Sequence, residues 1–179
     1  MTSQNKTIKL AKMGMLVAIS VVLVYLVHFP IFPAVPFLEY DPADIPILIG
    51  TFAFGPMAGL LLAAVTAVIQ GITVSAASGL YGIIMHILAT GAFALTAGLL
   101  YRGRKNKREA VLALVSGSIV MTIVMIIANL IITPYYTGWP VSTVKDLMGF
   151  IAGFNLIKAG VNSVMTFFLY KRISGFLHR

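Results

Sequence analysis

The sequence predicts an all-α integral membrane protein: a bundle of six transmembrane helices with cytoplasmic termini and an ordered outer loop between helices 1 and 2. Three observations predict it. Hydrophobic residues make up 59% of the 179 positions and charged residues 10%, with a mean hydropathy of +0.98, so there is too little polar surface to cover a soluble domain. Six apolar runs, near 9–28, 43–54, 57–74, 79–101, 109–133 and 148–170, take up almost the whole chain. A bilayer crossing uses roughly 20 apolar residues, which leaves one membrane domain over 1–179 and no room for a separate catalytic domain. Finally, eleven of the thirteen basic residues fall on one side of an alternating topology. They precede run one, lie between runs four and five, or follow run six, and the bias of Lys and Arg toward the cytoplasm places those segments inside. The net charge of +8 therefore reads as a membrane-orientation signal and not as a nucleic-acid footprint.

Run one follows Lys6, Lys9 and Lys12. A cleavable signal peptide also begins this way, but no pair of small residues follows the apolar core at cleavage spacing. The next stretch, His28 to Pro46, holds five of the eight prolines and three of the five acids. Proline fixes φ and disfavours helix at the residue before it, so this stretch reads as an ordered extended loop outside the membrane. Asp44 reads as a cap for the helix starting near Ile45. Glu39 and Asp41 alternate with Phe37, Leu38 and Tyr40, a mixture of apolar and hydrogen-bonding groups that suits a flat amphiphilic ligand as well as a solvated connector.

Runs two and three are separated only by Gly55 and Pro56, which predicts a tight helical hairpin. A second irregular connection spans Gly71 to Gly79. Arg102, Arg104, Lys105, Lys107 and Arg108 then form the inner loop before run five, and 133–147 returns outside, carrying Lys145. Near the outer end of run five, Asn129 calls for either an interhelical bond or a ligand contact. Run six carries Lys158 about ten residues from its outer start, roughly 15 Å deep at 1.5 Å per residue. An ammonium at that depth costs at least about 2.5 to 3.5 kcal/mol, so it must face the bundle interior and have a partner. Asn155, Lys158, Asn162 and Thr166 follow at spacings of three, four and four and so share one helix face. Structural interhelical bonds would account for Asn162 and Thr166.

The run PAVPFLEYDPADIPILIGTFAFGP, together with FNLIKAGVNS near the C-terminus, resembles the riboflavin-specific S component of energy-coupling factor (ECF) vitamin transporters of the bacterial cell membrane, over nearly the whole chain. The resemblance implies a vitamin held in the outer half of the bundle under the loop after helix 1. Its implied flavin contacts are Leu38, Glu39, Asn129, Asn155 and Lys158. An asparagine amide offers a donor and an acceptor to the pyrimidine edge of the isoalloxazine, and Lys158 adds a charged donor. Asp41, Gln70 and the Gly79 region are further candidates, for the ribityl hydroxyls. The resemblance also implies a transmembrane coupling subunit and two ATPase subunits. The chain has no G-x-x-x-x-G-K-[ST] loop of its own, and ATP chemistry needs one. The implied coupling-subunit contact falls on Ala11, Gly14 and Ala18, where glycine replaces the first alanine usual in the family. Spacing of that kind also serves internal helix packing.

Other classes fit less well. With no cysteine in the chain, disulfides, iron–sulfur clusters and thiol chemistry are excluded. His28, His86 and His178 are far apart, and neither H-E-x-x-H nor G-x-S-x-G occurs, so no catalytic constellation, metal site or cofactor is expected. A proton-coupled carrier would need acids within its helices, yet every acid lies in a loop or at a helix end. A purely structural membrane protein leaves Lys158 unexplained. An S component for another vitamin is the nearest alternative.

Overall fold

The computed structural model describes residues 3–103 and 105–177, with side chains over 6–103 and 105–172; Arg104, His178 and Arg179 of the charge and histidine inventory lie outside the described residues. Among the described residues, seven helices carry the fold: α1 (Ser3–Leu26), α2 (Asp44–Phe54), α3 (Pro56–Ile72), α4 (Gly79–Tyr101), α5 (Lys107–Thr137), α6 (Val141–Asp146) and α7 (Met148–Leu177), with a 3-10 turn at Ala76–Ser78. Two short strands, β1 (Phe29–Pro30) and β2 (Glu39–Tyr40), pair antiparallel with Phe29 opposite Tyr40.

Where the apolar runs predict six crossing helices, four of the described helices are long and apolar enough to cross a membrane: Lys6–Leu26, Ala76–Tyr101, Lys107–Thr137 and Met148–Arg172. The other two runs form shorter helices. α2 has 11 residues, about 16 Å at 1.5 Å per residue, and the proline-rich segment has already entered the bundle before it begins, with Asp41 and Ala43 buried. The segment 133–147, expected to lie outside, is largely helical. α5 continues through Pro134 to Thr137, stops at Gly138 (φ +71°), and is followed by α6, which carries Lys145.

Local sequence fixes the joints. Gly55 takes φ +97° between α2 and α3, a value glycine adopts without a steric penalty, and Pro56 opens α3, where its missing N–H costs nothing. Asn106 caps α5, its Oδ1 accepting from the Glu109 N–H at 2.9 Å, as an N-cap should. At Gly98 a Cβ would lie 2.7 Å from the Pro56 Cα, so α4 can approach the α2–α3 corner only because this position lacks a side chain.

Two apolar clusters result. The larger runs through the bundle and includes Leu48, Phe52, Leu62, Phe93 and Met121. The smaller joins Val35 and Leu38 of the loop to Val144, Ile151 and Phe154. Large apolar side chains such as Leu61, Ile123 and Phe168 are exposed on the outside, the reverse of a soluble protein. Lys9 sits 5.8 Å from the Phe54 ring, and the Tyr170 hydroxyl donates to the Phe52 carbonyl at 3.4 Å. The start of α1 and the ends of α2 and α7 therefore share one end of the bundle, and the proline-rich segment covers the other.

Candidate functional site

The α7 periodicity is realised as a buried polar seam, with Asn155, Lys158, Asn162 and Thr166 each 4% exposed or less. The partner that Lys158 requires comes from the loop: its Nζ donates to the Asp41 Oδ2 at 2.6 Å. The two residues are 117 positions apart in sequence. Asp41 uses its other oxygen to accept from the Ala43 N–H at 3.0 Å, which fixes the backbone entering α2. Asn162 joins the same cluster. Its Nδ2 donates to the Asp41 carbonyl at 3.2 Å and to the Asp44 Oδ2 at 3.0 Å, while its Oδ1 accepts from the Tyr40 hydroxyl at 3.0 Å. Thr90 of α4 donates to the Asp44 Oδ1 at 2.6 Å, and Ser20 of α1 donates to the Ala43 carbonyl at 3.1 Å.

Asp44 is therefore not the cap that its sequence position predicts. The N-cap residue is Ala43, without a side-chain cap bond, and Asp44 is 1% exposed. Both its oxygens turn inward because Thr90 and Asn162 supply donors at mid-depth. A buried carboxyl group is tolerable only with such hydrogen bonds.

Above the cluster lies a narrow cavity of about 70 Å³. Of the residues proposed from sequence, Leu38, Glu39, Asp41, Gln70, Asn155 and Lys158 line it. Asn129 stands behind the wall: its Nδ2 donates to the Met125 carbonyl at 2.8 Å, and its Oδ1 accepts from Thr133 at 2.9 Å. Thr133 in turn shares a hydrogen bond of 2.9 Å with Tyr81, which does face the cavity. Gly79, at φ +48°, turns the chain next to Ser78, another lining residue.

Several lining residues carry no signal of their own in the sequence. Met85, Met121, Met125 and Phe154 supply apolar wall, and at helical spacing they look like ordinary core. His86 lies 3.2 Å, nitrogen to nitrogen, from the Gln70 amide. It reads as an isolated histidine until α3 and α4 come together.

The lid is packed and not merely draped. Val35 and Leu38 are buried against α6 and α7, Phe32 meets Phe150 edge-on at 5.6 Å, and Phe37 meets Trp139 at 6.0 Å. Beneath it, Asn155 spends one N–H on the Ile151 carbonyl at 2.8 Å and keeps an acceptor and a second donor for the cavity. Lys158 has two further N–H groups beyond its bond to Asp41. An apolar slot ending in mixed donors and acceptors can hold a flat ligand with one hydrogen-bonding edge. On the far side of α1, Ala11, Gly14 and Ala18 are exposed, and a Cβ at Gly14 would meet nothing within 4 Å.

The chain is 33% identical to the riboflavin transporter RibU of Staphylococcus aureus (strain TCH60), over 98% of this chain and 94% of that protein. It is 29% identical to the riboflavin transporter FmnP of Bacillus subtilis (strain 168), over 97% and 96% respectively. The solved structure of the S component of a bacterial ECF transporter superposes with a TM-score of 0.82 at 34% identity, covering 99% of this chain and all of the other. Residues 8–170 match the family described as "ECF transporter, substrate-specific component", and the chain belongs to that family.

Proposed function

We infer that this chain captures riboflavin in the cavity beneath the 28–44 segment and acts as the substrate-specific subunit of an ECF transporter. It is a transport component and not an enzyme. The observation that carries this reading is the convergence of the loop and α7 on one cavity, with Asn155, Lys158 and Asp41 at its polar end and Leu38, Phe154 and the methionines along its walls. The pyrimidine edge of the isoalloxazine alternates carbonyl acceptors with an N–H, and the Asn155 amide and Lys158 ammonium are matched to it. Glu39 and Gln70, which also line the cavity, suit the ribityl hydroxyls. Asn129 would act through Tyr81, by holding the wall. The relatives named as riboflavin transporters support the substrate.

In this reading the chain passes through the bacterial cell membrane six times, with both termini and the 102–108 loop cytoplasmic. That orientation follows from the clustering of basic residues at one end. Energy comes from partner subunits, a transmembrane coupling protein and two ATPases, with the exposed Ala11, Gly14 and Ala18 face available to the coupling protein.

Titration of riboflavin into the detergent-purified chain tests the reading. Losing a hydrogen bond from a charged or well-matched polar group weakens binding by about tenfold or more. Asn155→Ala and Lys158→Gln should each show such a loss while eluting as folded monodisperse protein. Equal affinity in all three proteins would refute the site, and no flavin binding by the unmodified chain would refute the substrate.

A further inference from the structure

At the end of the bundle opposite the flavin cavity lies a second hollow, of about 340 Å³. Its floor is aromatic. Phe52 of α2, Tyr101 of α4 and Tyr170 of α7 pack on one another with ring centroids 4.2, 5.3 and 5.9 Å apart, and all three are buried. Its rim is cationic: Lys105, Lys107 and Lys171 line it, and no carboxylate does. Lys105 also borders an adjoining hollow that Arg102 helps to line. Setting orientation in the membrane needs basic residues in this loop, but it does not require them to converge on a hollow walled by four helices. We propose that this hollow binds the phosphate head of an anionic phospholipid.

The surroundings favour a lipid over a soluble phosphate compound. Leu99, Leu100, Leu112 and Phe168, on the helices that form the hollow, are exposed on the outer surface of the bundle, so an acyl chain has an apolar path along the protein beside the head group. Basic pockets between membrane helices on the cytoplasmic side are where anionic head groups bind. Tyr and Trp rings are favoured at that depth because one end is apolar and the other wet.

The test counts charge as well as position. Lys105→Gln with Lys107→Gln removes two cations at the hollow. Lys6→Gln with Arg108→Gln removes two exposed cations of the same end that do not line it. Native mass spectrometry of each full-length protein in mild detergent then measures retention of phosphatidylglycerol against phosphatidylcholine, with and without millimolar sn-glycerol 3-phosphate. The expected result is saturable phosphatidylglycerol binding that falls about thirtyfold in the first variant and less than about threefold in the second, unchanged by glycerol phosphate. Equal losses in the two variants, or no preference over phosphatidylcholine, would overturn the proposal. Displacement by glycerol phosphate would overturn the assignment to a lipid. Riboflavin affinity, read in parallel, should stay constant in both variants because the hollow shares no residue with the flavin cavity.

Discussion

Lys158 and Asp41 show how a single buried charge organises this chain. Each is 5% exposed or less at the side chain, so removing one leaves the other desolvated without a counter-charge, at a cost of about 3–5 kcal/mol. Lys158→Met and Asp41→Leu should each lower the unfolding temperature, followed through Trp139 fluorescence in detergent. The double variant should be more stable than either single, because no orphan charge remains; additive losses would mean that the pair is not coupled. Part of this was legible beforehand. The α7 seam could be read because spacings of three and four define a helix face without further information, and depth alone demanded a partner for Lys158. Asp41 could not be identified as that partner, since the path of a proline-rich loop has no period to follow. Asp44 went astray for a related reason. A local capping rule gave its position a role, but the donors that claim it, Thr90 and Asn162, come from helices 46 and 118 residues away.

At the level of elements, the apolar runs located the helices because period and length survive folding, and Gly55–Pro56 marked the α2–α3 corner. What the runs could not convey was that α2 starts partway down the bundle. Hydropathy records how apolar a segment is and not where its first residue lies along the bundle axis, so an 11-residue helix preceded by a descending loop looks like a short crossing. The α2–α3 corner depends on close approach of α4, which gives a specific expectation. Gly98→Val places a branched side chain where even a Cβ would be 2.7 Å from the Pro56 backbone. Overpacking of this kind costs about 1–3 kcal/mol and should appear as a lower unfolding temperature with or without riboflavin. An unchanged temperature would show that the corner moves freely.

For the whole molecule, the two faces of α1 have different tasks. Met13, Leu16, Ser20 and Val24 turn into the bundle, whereas Ala11, Gly14 and Ala18 face outward, and among the described residues nothing lies within 4 Å of a Cβ at Gly14. If that face seats the coupling subunit, Gly14→Leu should leave riboflavin affinity and thermal stability unchanged. ATP-driven uptake by the assembled transporter should fall several-fold, in proportion to lost complex on co-purification; full uptake and an intact complex would move the contact elsewhere. The face was visible as a spacing, but spacing does not distinguish internal from external packing. Only the three-dimensional path of α1 shows that this chain leaves it open. The division of the apolar interior into a large cluster and a small one has a dynamic consequence. Because Val35, Leu38, Val144, Ile151 and Phe154 form a cohesive patch of their own, the mouth of the cavity can come apart as a cooperative sub-unit while the main body stays intact. Opening there is then a local event, with a free energy set by this patch together with the Phe32–Phe150 and Phe37–Trp139 contacts and the Lys158–Asp41 pair instead of by the stability of the whole fold.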